Sequence, residues 1–293
     1  MALSQERHFG RAAESCGVSQ PALSSAIKQL ENELSVPLVK RGQRFIGFTT
    51  EGERVLGWSE RILADLDSMK QEISKLRDGL EGRLRLAVVP TALTVLPHIT
   101  APFAANHPSV DISITSMSSK DIQKGLDNFE IDMGITYLDN EPLKRVKSQK
   151  IYTETYALMV PKSSDLYHKT SVSWGEAALL SLCLLSRDMQ NRRIIDTVFS
   201  ELGLEVKPSI EMNSIASLVP QVETGQWSAI VPKHIVFGTT LPETVALIDL
   251  REPYISYEVG TIVSDQEPQS PTAKAMLEVI NQLKINDLFK NSL

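Results

Sequence analysis

The stretch FGRAAESCGVSQPALSSAIKQLE, residues 9–31, has the pattern of two short helices joined by a tight turn. Gly17 supplies the turn, because a backbone with positive φ is inexpensive only for glycine. Ser19 is expected to N-cap the second helix, and Pro21 follows in the first turn, where a missing N–H costs little. The apolar positions that would pack the two helices together are Ala12, Cys16, Val18, Leu23 and Ile27.

The outer face of the second helix carries short polar side chains and one cation. Such groups suit base edges and phosphates in a DNA groove, although any small helical domain can show the same pattern. The predicted face comprises Gln20, Ser24, Ser25 and Lys28.

The next segment, SVPLVKRGQRFIGFT (35–49), predicts a short β-hairpin of the kind called a wing. Arg41 and Arg44 near its tip would face the phosphates beside the groove. The alternative is a solvated basic turn, which the position directly after a helix-turn-helix pattern disfavours.

A long helix is predicted to open at Thr49 or Thr50, with acidic residues in its first turn. Its apolar residues alternate four and three apart, which is the seam of a coiled coil and calls for a second helix. The simplest partner is the same helix in another copy, and the alternative is packing on the chain itself. The predicted dimerisation residues are Ile62, Leu66, Met69, Ile73 and Leu76.

The composition is that of an ordinary globular protein. A length of 293 residues suits two or three domains, and no apolar run approaches the ~20 residues of a membrane helix. The start of the chain has no export pattern, so the cytoplasm is the expected compartment. The net charge is −6, yet residues 1–50 carry six basic and four acidic side chains. A mildly basic head on an acidic body can dock on DNA.

From residue 83 onward, buried strands alternate with helical patterns, which indicates an α/β fold with largely parallel sheets. The strands YALMVP (156–161) and YEVGTIVS (257–264) lie where a two-lobed clamp would exchange chains. We therefore predict one lobe at 83–160 plus 262–293 and the other at 161–261. The last helical pattern, 272–289, would pack back on the first lobe.

Hydroxyl or amide residues recur just after predicted strands, at the starts of helices. In open α/β sheets these positions line a crevice, and free N–H groups there favour small anions. Plain N-capping explains any one of these residues equally well, and Arg192 and Arg193 would either add positive charge or lie on the surface. The candidate effector residues are Thr91, Ser118, Ser119, Thr136 and Asn213.

No catalytic constellation is present in the sequence. It lacks a nucleophile elbow, an HExxH motif and glycine-rich phosphate or dinucleotide loops, so we predict neither an enzyme nor a cofactor. Cys16 is expected at a helix-packing position and Cys183 in a buried strand, without redox or metal chemistry.

The stretch RHFGRAAESCGVSQPALSSAIKQLENELSVPLVKR (7–41) closely resembles the signature of bacterial LysR-type transcriptional regulators. The resemblance continues along the whole chain. It includes Thr50-Glu51-Gly52 at the entry to the linker helix, Asp132-Met133-Gly134-Ile135, and Gly225 followed by Ile230-Val231-Pro232.

The resemblance implies a winged helix-turn-helix domain at 1–50, a dimerising linker helix at 51–82 and an effector domain with two lobes like those of periplasmic binding proteins. Such regulators usually form homotetramers, and a small metabolite between the lobes changes promoter binding. The implied partners are double-stranded DNA, further copies of the chain, a small-molecule effector and RNA polymerase. Carried onto this chain, the DNA-facing residues are Gln20, Pro21, Ser24, Ser25, Lys28, Arg41 and Arg44.

Two departures from the family pattern stand out. Members usually carry about ten more residues before the position of Gln5, so either the assigned start is late or the first helix is curtailed. Ser25 stands where many relatives have a longer, often basic side chain. A solute-binding protein without a regulatory role is the alternative function, and the head of about 80 residues disfavours it.

Overall fold

The computed structural model describes residues 1–41, 45–77, 79–139, 141–237, 241–283 and 285. It comprises two compact units, Met1–Lys70 and Gln71–Leu293. None of the helices in these described ranges is both long enough and apolar enough to cross a membrane.

The first unit contains the predicted helix-turn-helix and hairpin. The side chain of Ser19 accepts a hydrogen bond from the backbone N–H of Ala22 at 3.3 Å, and Gly17 has a φ of +64°, so the predicted cap and turn are confirmed. The elements are α1 (Ala2–Glu6), α2 (Phe9–Ser15), α3 (Gln20–Leu34), β1 (Val39–Arg41) and β2 (Phe45–Phe48).

The core of this unit is small. Leu3, Ala12, Leu38 and Val39 are buried, and Leu23 and Ile27 of α3 pack against them. The expectation that Cys16 and Val18 are packing residues is wrong: Cys16 is exposed, and Val18 is 45% exposed. Both lie beyond the end of α2, in the turn itself, where the chain faces outward. The first helix, α1, is five residues long.

Helix α4 (Thr50–Arg77) begins directly after the hairpin. The hydroxyl of Thr49 accepts a hydrogen bond from the N–H of Gly52 at 2.9 Å and so caps the helix. An added Cβ at Gly52 would lie 2.0 Å from the carbonyl oxygen of Leu38, so only glycine allows this close approach. Farther along α4, all five seam residues are exposed, from 39% at Leu66 to 84% at Leu76. Neither unit therefore covers its own part of the seam.

The second unit is built on one continuous ten-stranded sheet. Along the chain its elements are β3 (Gly82–Val88), α5 (Pro97–Asn106), β4 (Val110–Ser116), α6 (Ser119–Asp127), β5 (Met133–Tyr137), β6 (Val146–Pro161), β7 (Ser171–Ser173), α7 (Trp174–Ala178), β8 (Leu182–Leu185), α8 (Gln190–Glu201), β9 (Ile210–Met212), α9 (Leu218–Glu223), β10 (Ser228–Pro232), β11 (Val245–Arg251), β12 (Ser256–Ser264) and α10 (Pro271–Gln282). The strand order is β4-β3-β5-β12-β6-β10-β8-β9, with β11 also pairing with β6, and β7 with β11.

Strand β6 joins two lobes. Its first ten residues, 146–155, run along β12, whereas 156–159 pair with β10, and 157–161 pair with β11 on the other side. The first lobe therefore contains β3, β4, β5 and β12, and the second contains β7 to β11. The chain therefore passes from one lobe to the other a few residues before each of the predicted boundaries, 160/161 and 261/262. Segment 146–155 was not expected as a strand, because its alternating polar residues hide the continuation of YALMVP.

The sheet is mixed, which corrects the expectation of largely parallel strands. The outer strands of each lobe run parallel, as β3 does with β4 and β5, and as β8 does with β9 and β10. The connecting strands β6 and β12 are antiparallel to their neighbours, because each enters the sheet on its way between the lobes. The predicted C-terminal helix is confirmed up to Gln282 as α10, which packs against α5 and β3 of the first lobe, and the predicted residues 286–289 lie outside the described residues.

Candidate functional site

The candidate DNA-facing surface lies along α3. Gln20, Pro21, Ser25 and Lys28 are exposed, and Ser24 is half-buried. The opposite side of α3 packs on the small core, and the Glu31 carboxylate accepts hydrogen bonds from the backbone N–H groups of Leu38 and Val39 at 2.9 and 3.2 Å. Helix α3 is therefore tied to the hairpin while its polar face stays open.

The two wing arginines have no described side chains. Arg41 belongs to β1, but its side chain lies outside the described atoms, and Arg44 lies outside the described residues. Their contact with phosphates stays a prediction.

A cavity between the two lobes collects several of the predicted effector residues. Thr91, Ser118 and Ser119 of the first lobe line it. The second lobe contributes Gln190 and Asn191 from the start of α8. The cavity has a volume of only about 10 Å³, so the lobes are closed too tightly here to admit an organic molecule.

A buried hydrogen-bond network forms the floor of this cavity. The Tyr137 hydroxyl donates to a Glu154 carboxylate oxygen at 2.6 Å, and it lies 3.1 Å from the Thr91 hydroxyl. Asn191 donates to the same Tyr137 oxygen at 3.4 Å. The network thus connects β5, β6 and the short 3-10 turn Pro90–Thr94 with α8 of the other lobe.

Two buried titratable groups stand at this crossing. Burial raises the pKa of Glu154 to about 7, although the hydrogen bond from Tyr137 lowers this pKa in part. Burial also lowers the pKa of His234 to about 4. The His234 Nε2 lies 3.0 Å from the Thr91 carbonyl oxygen and 3.7 Å from Glu154. Because a carbonyl only accepts, this geometry assigns the proton of the neutral imidazole to Nε2.

Ser118 acts as a helix cap. Its hydroxyl oxygen accepts from the N–H of Asp121 at 3.2 Å and its O–H donates to the Asp121 carboxylate at 2.7 Å. The hydrogen bond that the Ser118 hydroxyl donates, and a second one from Lys124, lower the pKa of Asp121. The capping alternative therefore holds for Ser118, although the residue also lines the cavity.

An ion pair crosses from one lobe to the other beside the cavity. Arg193 of α8 donates to both carboxylate oxygens of Glu141, from Nε at 2.5 Å and from Nη2 at 2.9 Å. Nη2 also donates to the Ser119 hydroxyl at 3.1 Å, and Nη1 donates to the Asp188 carbonyl at 2.6 Å. The hydrogen bonds from Arg193 lower the pKa of Glu141.

The neighbouring Arg192 has a different environment. Its side chain is fully buried and bonds to Asp196, Glu211 and the Leu185 carbonyl, all within the second lobe. Of the two arginines considered from the sequence, only Arg193 therefore reaches the cavity region.

Two predicted effector residues are not brought to the cavity. The strand that was expected to end at Ile135 continues to Tyr137, so Thr136 lies inside β5 and is fully buried. Successive side chains of a strand point to opposite faces, and Tyr137 rather than Thr136 lines the cavity. Asn213 is exposed after β9, the strand of the second lobe at the far end of the sheet from the first lobe.

Several site residues were not foreseen. Tyr137 follows from the true end of β5, and Gln190 and Asn191 mark the start of α8, where helix termini face such crevices. Nothing local in the sequence marks Glu141 and Glu154, because their roles depend on pairing between distant segments.

The fold and these surfaces define a class: a helix-turn-helix head followed by a two-lobed ligand-binding body. The family profile "Bacterial regulatory helix-turn-helix protein, lysR family" matches residues 1–53, and the profile "LysR substrate binding domain" matches residues 77–284. The chain therefore belongs to the LysR family, and it is a DNA-binding transcriptional regulator with an effector-binding domain.

Relatives and solved structures agree with this assignment. A probable RuBisCO transcriptional regulator of Phaeodactylum tricornutum is 28% identical, over 97% of this chain and 93% of its own. Full-length CbnR complexed with its target DNA has a TM-score of 0.70 at 21% identity, over 96% of each chain. The regulatory domain of Synechocystis CcmR in complex with 2-PG has a TM-score of 0.62 at 18% identity, over 70% of this chain and 98% of that one.

Proposed function

We propose that a small anionic molecule, bound between the two lobes, modulates the binding of this regulator to promoter DNA. The observation that carries the proposal is the meeting of polar side chains from both lobes at one crevice, with the Arg193 guanidinium beside it. A ligand that touches both lobes favours one arrangement of them over another, which is the condition for a ligand to act at a distance.

The DNA contacts belong to the same proposal. The exposed polar face of α3 would enter the major groove, with the wing on the adjacent backbone. CbnR, whose fold is similar, has been solved on its target DNA, which supports this arrangement. The proposed DNA-facing residues are Gln20, Pro21, Ser24, Ser25, Lys28, Arg41 and Arg44.

We further propose that the protein acts as a homodimer, and in pairs of dimers as a homotetramer. The exposed seam of α4 supports self-association, because apolar side chains at heptad spacing gain free energy when a second helix covers them. RNA polymerase is the proposed partner through which promoter binding changes transcription. The proposed location of the protein is the cytoplasm.

A gel shift tests the proposal with DNA immediately upstream of the protein's own gene, since regulators of this family often control a neighbouring gene. We expect a retarded band at moderate salt. The protein concentration at which half of the DNA is bound should change when an anionic effector is added. Thr91→Ala should reduce that response while sparing basal DNA binding. A protein that binds no duplex, or whose binding ignores every small anion, would contradict the proposal.

A further inference from the structure

A second cavity opens beside the closed crevice and is large enough for a metabolite. It has a volume of about 540 Å³ and lies between α6 and the segment that joins β5 to β6. Ser119, Tyr137 and Gln190 line both this cavity and the small one. A molecule in the larger cavity would therefore touch the same groups that stand between the lobes.

Basic side chains outnumber acidic ones in the lining of this cavity. Its lining includes Lys120, Lys124 and Lys144, and Glu141 is the one carboxylate among the lining residues. Lys124 pairs with Asp121 at 3.2 Å. Within the described part of the chain, neither Lys120 nor Lys144 has an ion-pair partner. Side chains of one sign around a concave surface favour a ligand of the opposite sign.

The Arg193 guanidinium is already arranged to bind an anion. Its Nη1 is held by the carbonyl oxygens of Asp188 and Arg187, at 2.6 and 3.2 Å. Nε and Nη2 therefore face outward as a fork, and Glu141 occupies that fork with both carboxylate oxygens. A fork of this kind matches both carboxylate and phosphate groups, because it recognises two oxygens at a fixed separation.

Glu141 is well placed to exchange with a ligand. It follows β5 in a connecting segment, and its side chain and that of Arg193 are 27% and 21% exposed. Three residues later the chain is fixed, because Gln123 bonds to both backbone groups of Lys144 at 3.2 and 2.9 Å. The Glu141 side chain itself is held by Arg193 and the Ser119 hydroxyl, and both partners of the ion pair are partly open to solvent, so a second acidic group can compete for the same donors.

A further polar group points to a ligand independently of these charges. Gln190 is 3% exposed, and its Oε1 has no hydrogen-bond partner within the described chain. Buried amide groups are normally satisfied, so a ligand hydroxyl or acid group at this point would complete the site.

We propose that the effector is a small organic dianion and that Glu141 is a built-in competitor for it. This inference rests on the proposed function, namely an effector bound between the lobes. One acidic group of the ligand would replace the Glu141 carboxylate on Arg193 and Ser119, and the second would lie near Lys120 and Lys144. The bound ligand would thereby replace the direct Arg193–Glu141 ion pair between the lobes, and the lobes would be connected through the ligand.

The test compares anion affinities of the full-length protein and of Glu141→Gln by calorimetry. Succinate serves as a dicarboxylate, phosphonoacetate as a dianion with a phosphoryl group, and acetate as a monoanion. Removing the competitor should tighten binding of one of the two dianions by about fivefold or more, because the Arg193–Glu141 pair no longer has to be broken before the ligand can bind. Which dianion responds distinguishes a carboxylate from a phosphate ligand.

Two further variants make the comparison specific. Glu267→Gln removes one negative charge from the same lobe at the exposed pair with Lys147, outside the residues that line the cavity, and should leave every affinity unchanged. Lys120→Met should weaken binding of the dianion severalfold and leave acetate unaffected.

The proposal is overturned if Glu141→Gln binds both dianions no more tightly than the parent, or if Glu267→Gln gains as much. It is also overturned if neither protein binds either dianion at 10 mM, a concentration about tenfold above a millimolar Kd. The gel shift is read separately, so regulation by a monoanion alone would reject this inference and leave the proposed function intact.

Discussion

At the scale of single residues, function depends on which polar side chains are exposed to solvent and which are buried in contacts within the protein. Lys28 stands exposed on α3, whereas Arg192, a residue of the same charge, is buried in a network of its own lobe. The sequence predicts that a cation lies on each helix, but not which one is free, because burial is decided by distant segments such as the strand that carries Glu211.

The Lys28 side chain gives the first prediction. Lys28→Ala should weaken operator binding and lower the slope of log affinity against log salt by about 1, because one phosphate contact and its released counterion are lost. Fluorescence anisotropy at four or more salt concentrations measures this slope. Weakened binding with the parent slope would show that Lys28 does not contact a phosphate.

The pKa of Glu154 gives the second prediction. A carboxyl whose pKa rises from 4.5 unfolded to about 7 folded binds more protons in the folded state, so its contribution to stability falls as pH rises between these values. His234, lowered to about 4, acts in the opposite direction between pH 4 and 6.5. The two effects therefore oppose each other in the parent protein.

Glu154→Gln separates the two effects. The free energy of unfolding of the parent, minus that of the variant, should fall by about 3 kcal/mol between pH 4.5 and pH 7. The variant alone should gain stability across pH 4 to 6.5, because the slope from His234 remains. Denaturant titrations at a series of pH values measure both quantities. A difference that stays constant with pH would contradict the raised pKa.

At the scale of secondary-structure elements, the pattern of the chain predicts most strands and several of the helices, including α3, α4 and α10. Helix α4 follows from its heptads, and α3 from its cap and its Pro21. Two pieces were not predicted. The first half of β6 is polar on alternate positions, and β7 is three residues long, too short to show a period. The site was harder to predict. Because β5 ends two residues later than expected, Tyr137 lines the cavity instead of Thr136.

The seam of α4 gives the third prediction. Leu66→Arg combined with Ile73→Arg should shift the protein toward monomers in sedimentation, because two charges would have to be buried at the helix pair. Asp67→Arg together with Lys70→Glu, at exposed polar positions of the same helix, provides a matched control that should leave the assembly unchanged. An unaltered oligomer in the seam variant would count against pairing through this helix.

At the scale of the whole molecule, the proposed regulation couples effector binding to DNA binding. A ligand in the cleft can change DNA binding only by its different affinity for the two arrangements of the protein. By linkage, DNA must then change the affinity for the ligand by the same factor. This reciprocity concerns the proposed coupling itself and does not depend on which residues transmit it.

The decisive measurement is the Kd of the effector for the full-length protein, determined without DNA and again with saturating operator DNA. The account predicts two values that differ by about fivefold or more, and by the same ratio by which the effector changes operator affinity. Equal Kd values in the two titrations, for a ligand that binds the cleft, would contradict the claim that the two sites are coupled.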